Sequence, residues 1–221
     1  MCRSSVFPTS SDRVRRLLRL SPALVLAGLT AACSSGAAPT TYDLSAPTSR
    51  IRGAAGVQLL VNEPAALQAL STQQIIVKDA SGAITFLNGG QWADNLPRLI
   101  QTKLINTFEN ASQLRGVSRP SSGAVGDVQL VSELRRFEVA TPDNQAVVEI
   151  AVKIVNDATG RILFGRIFRG QAPVAAIDAP NAARALDEAL SGVMLDVVRW
   201  VSASPLPRRE EPNQNGNQPP A

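Results

Sequence analysis

Residues 148–154 alternate strictly. Val148, Ile150, Val152 and Ile154 fall on one side of an extended segment, and Glu149, Ala151 and Lys153 on the other. Successive side chains of a strand point to opposite faces, so this stretch predicts a strand with one buried face and one mixed face. Thr141-Pro142-Asp143-Asn144 precedes it and Asn156-Asp157-Ala158-Thr159-Gly160 follows it, and both read as hairpin loops. Loops this short join antiparallel neighbours, because parallel ones need a long crossover. Residues 127–169 therefore predict an antiparallel meander. Its last strand carries Ile162, Phe164 and Phe168, with Arg166 interrupting the pattern. In its first strand Val128, Leu130 and Leu134 share one phase, while Phe137 and Val139 fall in the other. A strand cannot change faces without a register break, so a bulge or twist is expected near Arg135-Arg136.

The apolar face of such a sheet needs a cover, and two segments have helical periodicity. Leu96, Leu99, Ile100, Leu104 and Phe108 recur at three- and four-residue steps, with Arg98, Gln101 and Asn106 projecting elsewhere. Asp94 or Asn95 can cap this helix, and Pro97 suits its first turn. A second helix starts near Asp178, with Pro180 in its first turn. Leu186, Leu190, Val193, Val197 and Val201 mark its buried face. Gly192 weakens it locally, and Trp200 lies near its end. Upstream, residues 57–61 predict an interior strand that Asn62-Glu63-Pro64 ends. A linker or short helical turn over 65–71 follows, then a strand over 74–77, a turn at Ser81-Gly82 and a strand over 83–87. Asn88-Gly89-Gly90 breaks the chain again. Together these predict an α+β domain: a mostly antiparallel, mixed sheet with two main helices, 93–110 and 179–203, packed on one face.

The N-terminus has a different character. Arg13, Arg15, Arg16 and Arg19 form a basic segment, an apolar run from Leu20 to Leu29 follows, and small residues lead to Cys33. This is the order of a secretory signal, and its apolar run is about ten residues, half of what a membrane-spanning helix needs. The stretch Leu29-Thr30-Ala31-Ala32-Cys33 resembles a bacterial lipoprotein lipobox, with Thr30 in place of the favoured leucine. The resemblance implies cleavage before Cys33 and acylation of that cysteine, so that Leu29, Thr30, Ala31 and Ala32 form the signal-peptidase recognition segment. The alternative is an ordinary cleaved signal that leaves Cys33 as a free thiol. The pair Arg15-Arg16 lacks the flanking residues of a twin-Arg signal. The expected organisation is a signal peptide over 1–32, an acylated N-terminus and flexible tether over 33–50, a folded domain over 51–203 and a disordered tail over 204–221.

Cleavage changes what the composition means. The full chain has 22 Lys+Arg and 18 Asp+Glu, but residues 1–32 hold five arginines and one aspartate, so the remainder carries 17 of each sign. A neutral mature chain gives no compositional support for nucleic-acid binding. Of the two cysteines, Cys2 leaves with the signal, and no internal disulfide can form. The chain has no histidine, which removes conventional zinc sites and His-dependent nucleophile systems. No cofactor is expected beyond the covalent lipid on Cys33. Gly53-Ala54-Ala55-Gly56 is not followed by the Lys-Ser/Thr of a phosphate-binding loop.

The order of features resembles the ABC-type transport auxiliary lipoproteins, the paraquat-inducible protein C-like group, over about residues 41–203. Tyr42-Asp43-Leu44 follows the cysteine, Gln74-Ile75-Ile76-Val77 forms a strand, and Gln91-Trp92-Ala93-Asp94-Asn95-Leu96-Pro97 enters the first helix. Glu133-Leu134-Arg135-Arg136-Phe137-Glu138 and Val155-Asn156-Asp157-Ala158-Thr159-Gly160 come next. Arg166-Ile167-Phe168 precedes Ala182-Ala183-Arg184-Ala185-Leu186, and Arg199-Trp200-Val201 closes the last helix. Ser71-Thr72-Gln73 departs from a stretch that is often more basic in the family. The resemblance implies a non-enzymatic subunit that accompanies an ABC permease–ATPase carrying a mammalian-cell-entry (Mce) protein, in a system moving lipid between the two membranes. It implies a membrane anchor through the lipid. Ser34, where lipoproteins kept at the inner membrane often carry Asp, implies outer-membrane placement facing the periplasm. Direct lipid contact and homo-oligomerisation stay open. The other readings are a partner of a different envelope machine, of the pilotin or lipopolysaccharide-assembly type, and an exported hydrolase without His.

Several side chains have both a functional and a plainer reading. Trp92 and Trp200 suit recognition, but lids on a core are the expectation. The pair Arg135-Arg136 could meet anionic partners or lipid head groups, and a solvated strand edge is expected. Glu133 with Glu138, and Asp187 with Glu188, have the composition of an acid–base pair, and surface charge is expected. Both helices' apolar faces are expected to pack a core, a use that can coexist with a lipid groove.

Overall fold

The computed structural model describes residues 38–53 and 56–208. In chain order they form β1 (Thr40–Tyr42), β2 (Gln58–Val61), β3 (Ala65–Ala66), β4 (Gln74–Lys78), β5 (Ile84–Trp92), α1 (Leu96–Ala111), β6 (Gly116–Ser118), β7 (Val128–Ala140), β8 (Gln145–Asn156), β9 (Ile162–Pro173) and α2 (Ala179–Ala203). A 3-10 turn, Pro120–Ser122, leads from β6 toward β7.

β7 is the spine of the sheet. Along one edge it pairs antiparallel with β8 over its whole length, from Val128 opposite Asn156 to Ala140 opposite Gln145. Along the other edge three short strands lie end to end, all parallel to it. β2 sits beside residues 128–130, β3 beside 133–134 and β4 beside 139–140. β9 extends the sheet antiparallel beyond β8, and β6 extends it parallel beyond β2. β5 runs antiparallel to β4, with β1 parallel to β5 at the margin. The sheet is mixed. Its long pairings are antiparallel and its short ones mostly parallel, so most paired residues are antiparallel.

The expected register break is present, between Leu134 and Arg136. Val128, Leu130, Ser132 and Leu134 are buried before it, Phe137 and Val139 after it. Arg135 is the extra residue, and taking it up keeps both apolar sets on the helix-covered face. On β8, Val148, Ile150, Val152 and Ile154 complete that face, and all are buried.

α2 lies across β8 and β9 and reaches β5, while α1 packs beside α2 and against β2 and β6. Leu96, Leu99, Ile100, Leu104 and Phe108 of α1 are buried, as are Leu186, Leu190, Val193, Val197 and Val201 of α2. These residues and the inner sheet face form a single apolar core. Asp178 caps α2 by accepting the Asn181 N–H at 2.9 Å. Gly170 lets the helix settle onto β9: a Cβ there would collide with the Ala189 carbonyl oxygen. No helix among the described residues is long and apolar enough to cross a membrane.

Four local expectations need correction. Gln101 is buried, not outward: its Nε2 donates to the Val61 carbonyl at 2.9 Å and its Oε1 accepts from Arg119 Nε at 3.2 Å. A buried amide is tolerated because both its ends find partners. Residues 88–90 do not end the third strand. β5 continues to Trp92 through a register shift, with Gly89 at φ +80°. Residues 65–66 form the two-residue strand β3, because the spine's open edge has backbone groups to satisfy there, and the expected short helical turn is confined to 67–71, where the Leu70 and Ser71 N–H groups donate to the Leu67 carbonyl. The folded part also starts well before residue 51, at β1, and extends past 203 to Leu206, which packs against the core. Residues 209–221 lie outside the described residues.

Candidate functional site

Cys33 and the recognition segment Leu29, Thr30, Ala31 and Ala32 lie outside the described residues. The structure does show how the chain following them enters the domain. β1 joins the sheet margin, and the Tyr42 carbonyl accepts the Ala93 N–H at 2.8 Å, just ahead of α1. Residues 43–53 then run as a strap over the two helices, toward their C-terminal ends. Asp43 Oδ2 pairs with Lys103 Nζ of α1 at 2.6 Å. Leu44, 3% exposed, inserts into the core. Ser45 donates from both its N–H and its hydroxyl to the Asp187 carboxylate of α2, at 2.6 and 2.7 Å. The Ile51 N–H donates to the Ala111 carbonyl at the end of α1, at 2.8 Å. Gly53 sits against the Ser202 carbonyl at the end of α2, at φ +127°, where no Cβ would fit. The expected flexible tether over 33–50 therefore fails for residues 40–50. Asp43 and Ser45 bond the Lys103 and Asp187 side chains of the helices, and Leu44 supplies the apolar pin.

Asp43 is held below its ordinary pKa. Partial burial works upward, but the hydrogen bonds from Lys103 and the Leu44 N–H, together with the Lys103 charge, outweigh it. Asp187, a candidate acid–base residue by composition, serves instead as the acceptor that ties the strap to α2. Its neighbour Glu188 points to solvent and takes no part.

The helix-free face of the sheet collects the other candidates. At the bulge, Arg135 Nη2 lies 3.3 Å from Glu133 Oε2 and its Nη1 lies 3.9 Å from Glu149 Oε1. Arg136 Nη2 pairs with Glu138 Oε1 at 2.8 Å, and Arg169 Nε pairs with Glu149 Oε2 at 2.8 Å. Glu138 and Glu149 are buried, which ion-paired carboxylates can sustain. The Arg135-Arg136 pair is therefore the positive half of a charge network, not a bare solvated edge. Glu133 and Glu138 each face a guanidinium rather than each other. A depression of about 460 Å³ opens beside this network, lined by Ala65, Ala66, Leu67, Glu133, Leu134 and Arg135. Another, of about 400 Å³, lies along β8 and β9. Among the described residues no three of His, Cys, Asp and Glu gather as metal ligands would.

Both tryptophans are core residues. Trp92 is fully buried, edge-on to Phe137 with ring centroids 5.6 Å apart. Trp200 covers Phe168 in the same manner, also at 5.6 Å, and stays half-buried. The apolar stripes of α1 and α2 close on the sheet. Sequence reasoning missed the strap contacts of Lys103 and Asp187. A charged residue's partner sixty or more positions away leaves no local signal, although Tyr42-Asp43-Leu44 does stand out by resemblance.

The comparisons with known proteins agree with one another. A family model described as "ABC-type transport auxiliary lipoprotein component" matches residues 42–198, from β1 almost to the end of α2. A curated protein of Bradyrhizobium diazoefficiens, itself uncharacterized, is 31% identical over 184 residues. That alignment covers 80% of this chain and 49% of the relative, so the chain spans about half the relative's length. The crystal structure of a Xanthomonas campestris protein superposes with a TM-score of 0.67 at 23% identity, covering 73% of this chain and 94% of that one. Another crystal structure, of an uncharacterized protein, gives 0.59 at 16% identity, covering 74% and 99%. These two likenesses establish the fold, and the family match spans the strap, the bulged spine and both helices. The chain belongs to the family of ABC-type transport auxiliary lipoprotein components.

Proposed function

We propose that the protein is a docking subunit anchored through acylated Cys33 to the outer membrane, with its domain in the periplasm. It holds the Mce component of an ABC permease–ATPase in place, so that lipid can pass between the inner and outer membranes. It does this by binding, not by chemistry. The observation that carries this reading is the family match over residues 42–198, combined with the strap. Cys33 precedes the first strand residue, Thr40, by seven positions, a reach of at most about 25 Å when fully extended. From Thr40 the chain is fastened to β5, and from Asp43 to both helices, so the anchor acts on the whole domain. Anchoring raises the local concentration of a partner site without any new contact. Two or more acyl chains are needed for stable attachment, which lipoprotein-type modification of Cys33 supplies.

The test is complementation of a null strain under envelope stress, by the wild-type chain and by a secreted, soluble form at equal levels. The anchored form restores function and the soluble, folded form does not. Full restoration by the soluble form rejects docking at the membrane. Density-gradient fractionation supplies the second readout, and exclusive co-migration with inner-membrane markers rejects the outer-membrane assignment.

A further inference from the structure

β9 is open along one edge. It pairs with β8 from Ile162 to Pro173, and among the described residues no strand lies on its other side. Along these twelve residues the backbone groups that face away from β8 make a template for another strand, except that Pro173 has no N–H to offer. The side chains along it are apolar and basic. Ile162 is 61% exposed and Ile167 46%. Arg161, Arg166 and Arg169 stand on or beside the strand, and residues 160–177 contain no Asp or Glu. Arg169 is spent on Glu149. Arg166 lies over the Phe168 ring, 5.2 Å from its centroid, with no carboxylate in ion-pair reach among the described residues. Neither Arg161 nor Lys153, on the neighbouring strand, has a carboxylate in such reach.

Lys153, Gly165 and Ile167 border one depression of about 400 Å³. Lys153 is its cation without a carboxylate partner, since Arg135 at its rim is paired to Glu133 and Glu149, and Arg166, opposite Val152, turns its side chain to the other face of the strand, over Phe168. Gly165 keeps the depression open, since a Cβ there would approach only the Val152 carbonyl and the Lys153 stem, at 3.7 and 3.8 Å.

We propose that the β9 edge is a docking strand for an extended, carboxylate-bearing segment of a partner protein, which adds to the sheet beside Ile162–Pro173. Backbone pairing supplies affinity, and the Arg161, Lys153 and Arg166 charges with the Ile167 surface supply selectivity. Charge decides between a foreign strand and a second copy. Two β9 edges brought together offer each other no carboxylate in any register, and arginines that fall opposite one another repel. An acidic segment removes that repulsion and neutralises the depression. A lipid would leave the edge N–H and C=O groups unmatched. The inference rests on the docking function proposed above and names the surface that performs it.

The experiment uses the full-length chain in its own envelope, with a photo-crosslinking phenylalanine analogue at Ile162 or Ile167, and at Arg184 on the exposed side of α2 as control. The expected result is a crosslink from 162 and 167, absent from 184, to one other protein. Peptide mapping then places the crosslink in an extended segment carrying Asp or Glu. Arg161→Glu with Arg166→Glu abolishes it, with unchanged melting of the domain. Lys153→Glu, outside β9, weakens it independently and keeps the test decisive if the double variant misfolds. A crosslink to a second copy, to lipid, to a segment without acidic residues, or to nothing overturns the inference, as does a crosslink that survives these charge reversals. The two proposals fail separately. Co-purification of transport components without a β9 crosslink sinks only the edge strand. An acidic β9 crosslink to a protein unrelated to transport sinks only the docking function.

Discussion

Lys103 Nζ sits 2.6 Å from Asp43 Oδ2, and this contact joins the first residues of the domain to the middle of α1. The lysine side chain is 14% exposed and the aspartate 61%. Lys103 therefore gives up much of its hydration, while Asp43 keeps most of its own. On the other side of the strap, Asp187 of α2 receives Ser45. A segment gripped by both helices makes residues 43–53 and the domain one mechanical unit, as the docking role proposed above requires.

The strap is expected to loosen at low pH. Asp43 has a folded-state pKa below its ordinary value, so its contribution to stability is fully present above the ordinary carboxylate pKa of about 4. That contribution is lost as pH falls through the lowered folded value. Asp43→Asn should cost no more than about 1 kcal/mol at neutral pH, since the carboxylate is largely exposed. The difference in melting temperature between wild type and variant should shrink to nothing in strong acid. A difference that stays constant from pH 7 to pH 2 contradicts the assignment.

Gly170 tests the seating of α2. Valine suits strands, so on propensity alone Gly170→Val should stabilise β9. The structure predicts the opposite, because the added Cβ meets the Ala189 backbone and the Val193 side chain. Overpacking of this kind costs about 1–3 kcal/mol. Gly165→Val, on the helix-free side of the same strand, meets only ordinary contacts and should be near neutral or stabilising. Chemical denaturation of the two variants checks the contrast, and equal midpoints would mean that α2 does not press on β9.

Leu190 lies on α2 and is fully buried in the shared core. Leu190→Ala should destabilise by about 2–5 kcal/mol, and Leu190→Asp should prevent folding, because it buries a charge with no partner. Circular dichroism and thermal melting read both outcomes. Wild-type melting of the aspartate variant would contradict the packing of this helix on the sheet.

Periodicity carried most of the fold. The meander, the bulge near Arg135, and both helix faces were legible because each depends on neighbours within a few residues. The parallel edge of β7 was not. Strands β2 and β4 were legible from their own apolar residues, but their parallel pairing to β7, and β3 altogether, depend on the spine more than sixty residues later. Residues 40–50 misled for a related reason. Their Ser, Thr and Pro content is that of a linker, and only the distant Lys103 and Asp187 turn it into a strap. The charge network was half legible: Arg135-Arg136 and Glu133, Glu138 stood out, but Glu149 and Arg169 join them only through strand register.

The Arg136–Glu138 pair should respond asymmetrically to removal of its two ends. The Glu138 side chain is 5% exposed and that of Arg136 is 40%. Arg136→Ala leaves a carboxylate in a site that water barely reaches. It loses a charge-assisted hydrogen bond and strands the acceptor, at a cost of about 1–3 kcal/mol. Glu138→Gln keeps an acceptor oxygen for Arg136, and the half-exposed guanidinium can turn to water, so this variant should lose less than about 1 kcal/mol. The double variant, Arg136→Ala with Glu138→Gln, removes the stranded charge and should recover most of the loss. Urea denaturation of the set, arranged as a double-mutant cycle, measures the coupling directly. A Glu138→Gln loss larger than that of Arg136→Ala would reverse the argument: the arginine, not the glutamate, would then be the end that depends on its partner.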